Sequence, residues 1–380
     1  MKLISNISIF PPLRYESRAT YIEGYHYADC LSNKTINSYP VNILLLQDVA
    51  LLGIGYIVDI KTWSIIFNFE SPELPFFPSY VEKLSSTWKG RPSIYELIKL
   101  NKNNLKCIKV NKVISVLHYS CSVYGHFLLE ILPKIFVLKT YFQTDRNLSL
   151  PALALPSSIN TWVKKYILEI WPDCKILWFD PYKEYIIADV TFIVTGAEMQ
   201  QHPSIANYFI DFAINNISES KNYYQELKQY LSFSKTYSSK ITKPKIFLAR
   251  SKKNRKTQIE NFSNIEKIAI KKGFMIIEPS EFGSLKKQAY FFSQCSIVLG
   301  EYTSALHKAI FCPYGTFIGC INYRNHYQDT IASVMGHNLN YIMPDQGPLP
   351  WNSKKSYIVS ESKFSRLIDD IEKYMNQSKL

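Results

Sequence analysis

From Lys245 to Ile321 the chain switches without interruption between short apolar runs and longer segments with helical spacing, and that alternation leaves few folds open. KIFLAR (Lys245 to Arg250) predicts a strand, NIEKIAIKKG a helix ending at Gly273, FMIIEP a strand, and SLKKQAYFFSQ a helix. SIVLG predicts a third strand, and SALHKAIF a helix leading into GTFIGCI. Strand–helix–strand units in series specify a mainly parallel sheet with helices on its faces, a Rossmann-like half.

A looser version of the rhythm precedes it. KVISVLHYS, from Lys112, predicts a strand, and GHFLLEILPKIFVLKTYF an apolar helix that Pro133 should kink. LPALALP, a helix near Ser158 to Trp171, then CKILWF and VTFIVT continue the series. Between Pro203 and Ser239 lies a polar, tyrosine-rich helical stretch that serves as connector, and ESKFSRLIDDIEKYM is an amphipathic helix closing the chain. Residues 1–110 hold strand-like runs such as VNILLLQD and SIIFNF but no functional signal. The expected organisation is α/β throughout: an N-terminal domain over 1–202, a helical connector over 203–240, a C-terminal Rossmann-like domain over 241–345, and a tail and helix over 346–380. In open parallel sheets ligands bind beyond the carboxyl ends of the strands, so chemistry should collect in the loops after KIFLA, SIVL and VISVL.

All three loops carry unusual residues. RSKKNRKT places Arg250, Lys252, Lys253, Arg255 and Lys256 after a buried strand, and the planar guanidinium forks of Arg250 and Arg255 suit a diphosphate. The alternative is a solvated basic loop, the commoner fate of a charge run, and the three lysines are left with it. GEYTSALHKAIF sets Glu301, Tyr302, Thr303 and Ser304 at a strand-to-helix turn, where backbone N–H groups and a hydroxyl can hold an anion. A plain N-cap at Thr303 or Ser304, and a core histidine at His307, explain the same residues without a ligand. YGHFLLE places His126 and Glu130 four apart on one helical face, where the carboxylate can fix the imidazole tautomer for a general base. A histidine capping its helix beside a surface glutamate is the competing explanation.

Absent motifs narrow the field. No G-x-x-x-x-G-K-[ST] and no G-x-G-x-x-G occurs, which argues against ordinary nucleoside triphosphatases and dinucleotide enzymes. There is no Asp-x-Asp, so a diphosphate here would be held by arginines and helix N-termini in place of a metal. The net charge of +13 suits phosphates, nucleic acid or an anionic membrane surface, although a lysine-rich background composition accounts for it equally well. Seven cysteines without regular spacing or a C-x-x-C pair indicate neither a disulfide framework nor a zinc site. With too short an apolar stretch at the N-terminus for a signal peptide, the sequence reads as that of a cytoplasmic protein.

Taken in order, HYSCSVYGHFLLEILPKIFVLK, IFLARSKKNRKTQIENFSNIEKIAIKKGF and EPSEFGSLKKQAYFFSQCSIVLGEYTSALHKAIFCPYGT resemble glycosyltransferase family 61. The resemblance covers Ser115 to Asn322 and is closest to a bacterial capsule and exopolysaccharide branch. It implies a GT-B architecture, two Rossmann-like α/β domains facing each other across a cleft, with sugar transfer by inversion from a nucleotide-sugar donor and no metal or other cofactor. It places His126 and Glu130 on the family's histidine-aromatic-x-x-glutamate signature, and Arg250, Arg255 and Asn261 on its arginine-rich loop and following asparagine. Glu301, Tyr302, Ser304, Leu306 and His307 fall on a bacterial form of the donor loop, while Tyr302, Thr303 and Lys308 depart from the commonest pattern. The implied base is His126, with Glu301 as second choice, and the implied partners are a nucleotide sugar and a surface-glycan or lipid-linked glycan acceptor. Together with the basic charge, this points to peripheral contact with the inner membrane. Two other functions stay open from sequence: a nucleic-acid-binding protein using RSKKNRK, which explains the charge but not the cleft loops, and a catalytically impaired partner in glycan assembly.

Overall fold

The computed structural model describes residues 1–21, 34–53, 56–63, 105–116, 123–144, 148–197, 202–215, 243–249, 259–278, 282–322, 326–345 and 356–377. SIIFNF, Arg250, Arg255, the rest of the basic loop and most of the expected connector lie outside these residues. Two units are present, one formed by Met1–Leu13 and Ser38–His202, the other by Arg14–Asn37 and Pro203–Leu380. Both mix sheet and helix, an α/β protein. Among the described residues no helix is long and apolar enough to cross a membrane.

The strands in chain order begin with β1 (Lys2–Phe10), β2 (Arg14–Glu16), β3 (Thr35–Asn37), β4 (Val41–Gln47), β5 (Val49–Leu52), β6 (Tyr56–Asp59) and β7 (Lys106–Ser115). They continue with β8 (Ala152–Pro156), β9 (Ile176–Phe179) and β10 (Glu184–Thr195). In the first unit the sheet runs β1-β4-β10-β7-β8-β9, with β5 and β6 joined to the β10 side. β10, β7, β8 and β9 are parallel; β4 and β5 meet β10 antiparallel. The break between β4 and β5 falls at Asp48, whose φ of 58° is a left-handed conformation that short Asp side chains tolerate. Because β7 has β8 on one side and β10 on the other, the strand order reverses there, and the carboxyl end of β7 opens at a topological switch point.

Next come the turn Tyr124–His126, a π-helical turn Phe127–Ile131, α1 (Leu132–Thr144) and α2 (Thr161–Ile170). Every residue from Phe127 to Leu138 is buried, Glu130 and Lys134 among otherwise apolar residues. Where the sequence predicts a kink at Pro133, the structure shows a π turn just ahead of it. Proline has no N–H to return to Leu129, and the ladder accommodates this by widening a turn earlier, where Leu132 N–H reaches Phe127 O, five residues back.

The second unit holds β11 (Lys245–Leu248), β12 (Met275–Ile277), β13 (Ile297–Glu301), β14 (Phe317–Ile321) and β15 (Asn338–Ile342), all parallel, in the order β12-β11-β13-β14-β15. Its helices are α3 (Ile205–Asn215), α4 (Phe262–Lys271), α5 (Leu285–Ser293), α6 (His326–Met335) and α7 (Glu361–Gln377). The strand order is that of a doubly wound half, with its switch point between β11 and β13. α4 ends as its glycine predicts. Gly273, at φ +80°, sends its N–H to Ile270 O, and Phe274 N–H reaches Ala269 O. Phe364, Leu367, Ile368 and Ile371 of α7 are fully buried at helical spacing and pack with Phe247, Leu299 and Phe317 on one face of the sheet.

Two features depart from the sequence-based expectation. SALHKAIF forms a 3₁₀ turn, Leu306–Phe311, in place of an α-helix. Only six residues separate Ala305 from Cys312 and Pro313, and the tighter i+3 bonds, such as Cys312 N–H to Ala309 O, fit that span. Residues 14–37 leave the N-terminal unit. Arg18 N–H bonds Ser333 O, and Thr20 pairs in parallel with Asn338 along the β15 edge. β2 and β3 pair with each other in the same excursion.

Candidate active site

In the first unit, the turn that carries His126 and Glu130 is the first described element after β7 in the chain. His126 Nδ1 lies 2.7 Å from Glu130 Oε1. The imidazole is about a quarter exposed (25%), whereas the Glu130 side chain is 9% exposed. A charged carboxylate only accepts hydrogen bonds, so Nδ1 carries the proton and Nε2 is the accepting nitrogen of the neutral ring. Expected as an i, i+4 pair on a regular helix, the two residues instead meet across the π turn, a distortion that recurs at functional sites. Phe127 and Trp162 of α2 pack edge to face at 5.2 Å, and Trp162 meets Tyr166 at 5.6 Å, which holds the turn from behind.

In the second unit, Glu301 is the last residue of β13, beside the switch point. Its carboxylate, 7% exposed, accepts a hydrogen bond from Tyr357 Oη at 2.8 Å. Gly300 allows the strands to approach here, since a Cβ at that position would stand 3.1 Å from Leu248 Cβ. The following turn is closed by Thr303, whose Oγ1 accepts from Ala305 N–H at 3.2 Å and whose carbonyl accepts from Leu306 N–H at 2.9 Å. Leu306 and His307 are buried, and the His307 ring sits 5.7 Å from that of Tyr327 and 6.4 Å from that of Tyr302. Tyr302, Thr303 and Ser304 keep partial exposure and form the accessible side of the turn. Lys308 is 3% exposed, and burial brings its ammonium down to about 7.

Asn261 stands at the start of α4, immediately beyond the basic loop. Its Nδ2 donates to Val359 O at 2.8 Å, and its Oδ1 accepts from Val359 N–H at 3.1 Å. Ile259, two residues earlier, pairs in parallel with Tyr357. The segment 357–359 therefore ties the exit of the basic loop and also supplies the hydroxyl on Glu301. Arg250 and Arg255, the expected diphosphate clamps, lie outside the described residues.

The family model of glycosyltransferase 61 matches residues 124–319, just over half of the chain. The chain belongs to glycosyltransferase family 61. No match was found among curated proteins. The family-61 segment opens on Tyr124, one turn ahead of the π turn, and closes on Gly319 within β14, so it contains both polar clusters. Tyr357 lies beyond it. Nothing in the sequence marks Tyr357 as part of a glycosyltransferase site, because its role depends on a strand-like pairing with Ile259, 98 residues away, and not on a local pattern. Membership of family 61 makes the protein a glycosyltransferase by class.

Proposed function

We propose that the protein is an inverting, metal-independent glycosyltransferase that moves a sugar from a nucleotide-sugar donor to a hydroxyl of a growing surface glycan or its lipid-linked precursor. The observation that carries this reading is the His126–Glu130 pair, with Nδ1 held at 2.7 Å by a largely buried carboxylate. In this mechanism Nε2 of His126 takes the proton of the acceptor hydroxyl as that oxygen bonds to the anomeric carbon. The bond from that carbon to the diphosphate breaks on the opposite face, and the nucleoside diphosphate departs with the electron pair. Negative charge grows on the departing group, which is where Arg250, Arg255 and the Tyr302–Ser304 turn are assigned.

Asn261 is assigned an indirect part: fastened to Val359, it sets the end of the basic loop. Glu301, bonded to Tyr357, is the alternative base. Acceptor and base on the N-terminal unit and donor on the C-terminal unit, the GT-B arrangement, belong to this proposal, as do a bacterial capsular role, the cytoplasm and the inner membrane surface. Incubation with a panel of nucleotide sugars, followed for nucleoside diphosphate release, tests it. Release from at least one donor, lost in His126→Ala, is the expected result. A folded protein that releases nothing from any donor would support a non-catalytic role in glycan assembly.

A further inference from the structure

At the amino ends of the second sheet, the opposite end of β13 from Glu301, there is a cavity of about 570 Å³ lined by Lys243, Ser296, Tyr314, Glu372 and Asn376. That volume lies within the usual range for ligand pockets, about 300–1,000 Å³. β13 runs from Ile297 near this cavity to Glu301 at the switch point, and four rises of about 3.3 Å separate the two ends by about 13 Å.

Tyr314 is 75% exposed yet firmly placed. It sits in a turn where Gly315, at φ +78°, sends its N–H to Gly336 O at 2.8 Å, and Asn338 Nδ2 holds Gly315 O at 2.8 Å. Thr316 Oγ1 closes the same turn on Pro313 O at 2.8 Å. The phenol ring rests on Gly336, where a Cβ would come within 2.3 Å of ring carbons Cδ2 and Cε2. One edge of the ring is therefore seated on backbone while much of its surface faces water, an arrangement that costs little entropy when a ligand stacks on it.

The polar groups around the ring are mixed. Lys245 is neutralised by Glu372 at 2.5 Å, whereas the Lys243 ammonium has no ion-pair partner among the described residues. Asn376 and Glu372 offer amide and carboxylate groups to hydroxyls. A rigid aromatic face accepts the electropositive C–H face of a pyranose, and one uncompensated cation matches one sparse negative charge. A single uncompensated cation does not match a strand with a phosphate on every residue.

We infer that this cavity is a second glycan-binding site, which stacks a pyranose on Tyr314 and pairs a uronate-type carboxylate with Lys243. The identification of the ligand as glycan rests on the proposed transferase activity. The site would retain an acidic saccharide chain on the enzyme at the opposite end of β13 from Glu301.

Titration of the full chain with a hyaluronan hexasaccharide, a neutral chitin hexasaccharide and a single-stranded oligonucleotide tests this, with no donor present. The expected result is binding of the acidic hexasaccharide, weakened about three- to tenfold by Tyr314→Ala and retained by Tyr314→Phe. Lys243→Ala should remove the preference over the neutral hexasaccharide. Both side chains are at the surface, so unchanged melting temperatures should accompany these losses. Failure of both hexasaccharides to bind, binding indifferent to Tyr314→Ala, or preference for the oligonucleotide would overturn the inference. Donor turnover measured on the same preparations separates the two proposals. Tyr314-dependent binding without turnover overturns only the transferase mechanism, and turnover without such binding overturns only the second site.

Discussion

His126 follows β7 in the chain and Asn261 follows β11, and their side chains are used in opposite ways. His126 is oriented by one carboxylate and remains about a quarter exposed. Asn261 spends both polar ends of its amide on the backbone of Val359. Asn261→Ala should therefore lower stability by about 1–3 kcal/mol, because Val359 loses two hydrogen bonds. Chemical denaturation measures this, and an unchanged midpoint would mean that Asn261 does not fasten the loop. For Glu130→Ala the expected effect is on turnover, with kcat reduced and Glu130→Gln recovering part of it, since the amide oxygen can still accept from Nδ1–H. Tyr357→Phe removes the hydroxyl that bonds Glu301 and should cost about 1–3 kcal/mol in the same denaturation experiment.

Elements differed in how far their sequence revealed them. The β11-to-β14 series was legible because each strand and helix carries its own periodicity and its own stop signal, such as Gly273. α7 was legible from the same cause, with Phe364, Leu367, Ile368 and Ile371 on one face. Leu367→Ala should cost about 2–5 kcal/mol, as a cavity opens beneath the sheet. The π turn and the 3₁₀ turn were not legible, since both keep near-helical spacing and differ only in which carbonyl each N–H selects. Pairings between distant segments, Thr20 with Asn338 and Ile259 with Tyr357, leave no local mark either.

The end of α6 supplies a pH effect of the same long-range kind. His337 is fully buried with Nε2 on Cys312 O, and burial pulls its imidazole from 6.5 to about 4. Between those two values the unfolded chain binds the proton that the folded one refuses. Stability should then be complete above about pH 6.5 and fall by roughly 3 kcal/mol as the pH drops toward 4. His337→Asn should flatten that slope in denaturation curves taken across the range.

For the molecule as a whole, family membership fixes the class of chemistry, and the two described polar clusters that the sequence singled out follow β7 and close β13. The net charge of +13 is compatible with an anionic donor, an acidic glycan and an anionic membrane surface alike, so charge alone does not separate these partners. The central claim is that His126 serves as the base in sugar transfer from a nucleotide sugar. Nucleoside diphosphate release should be measured across a donor panel for the native protein and for His126→Ala. The account predicts release from at least one donor, slowed about a hundred- to ten-thousand-fold by the substitution at unchanged stability. Native turnover that survives His126→Ala would contradict it.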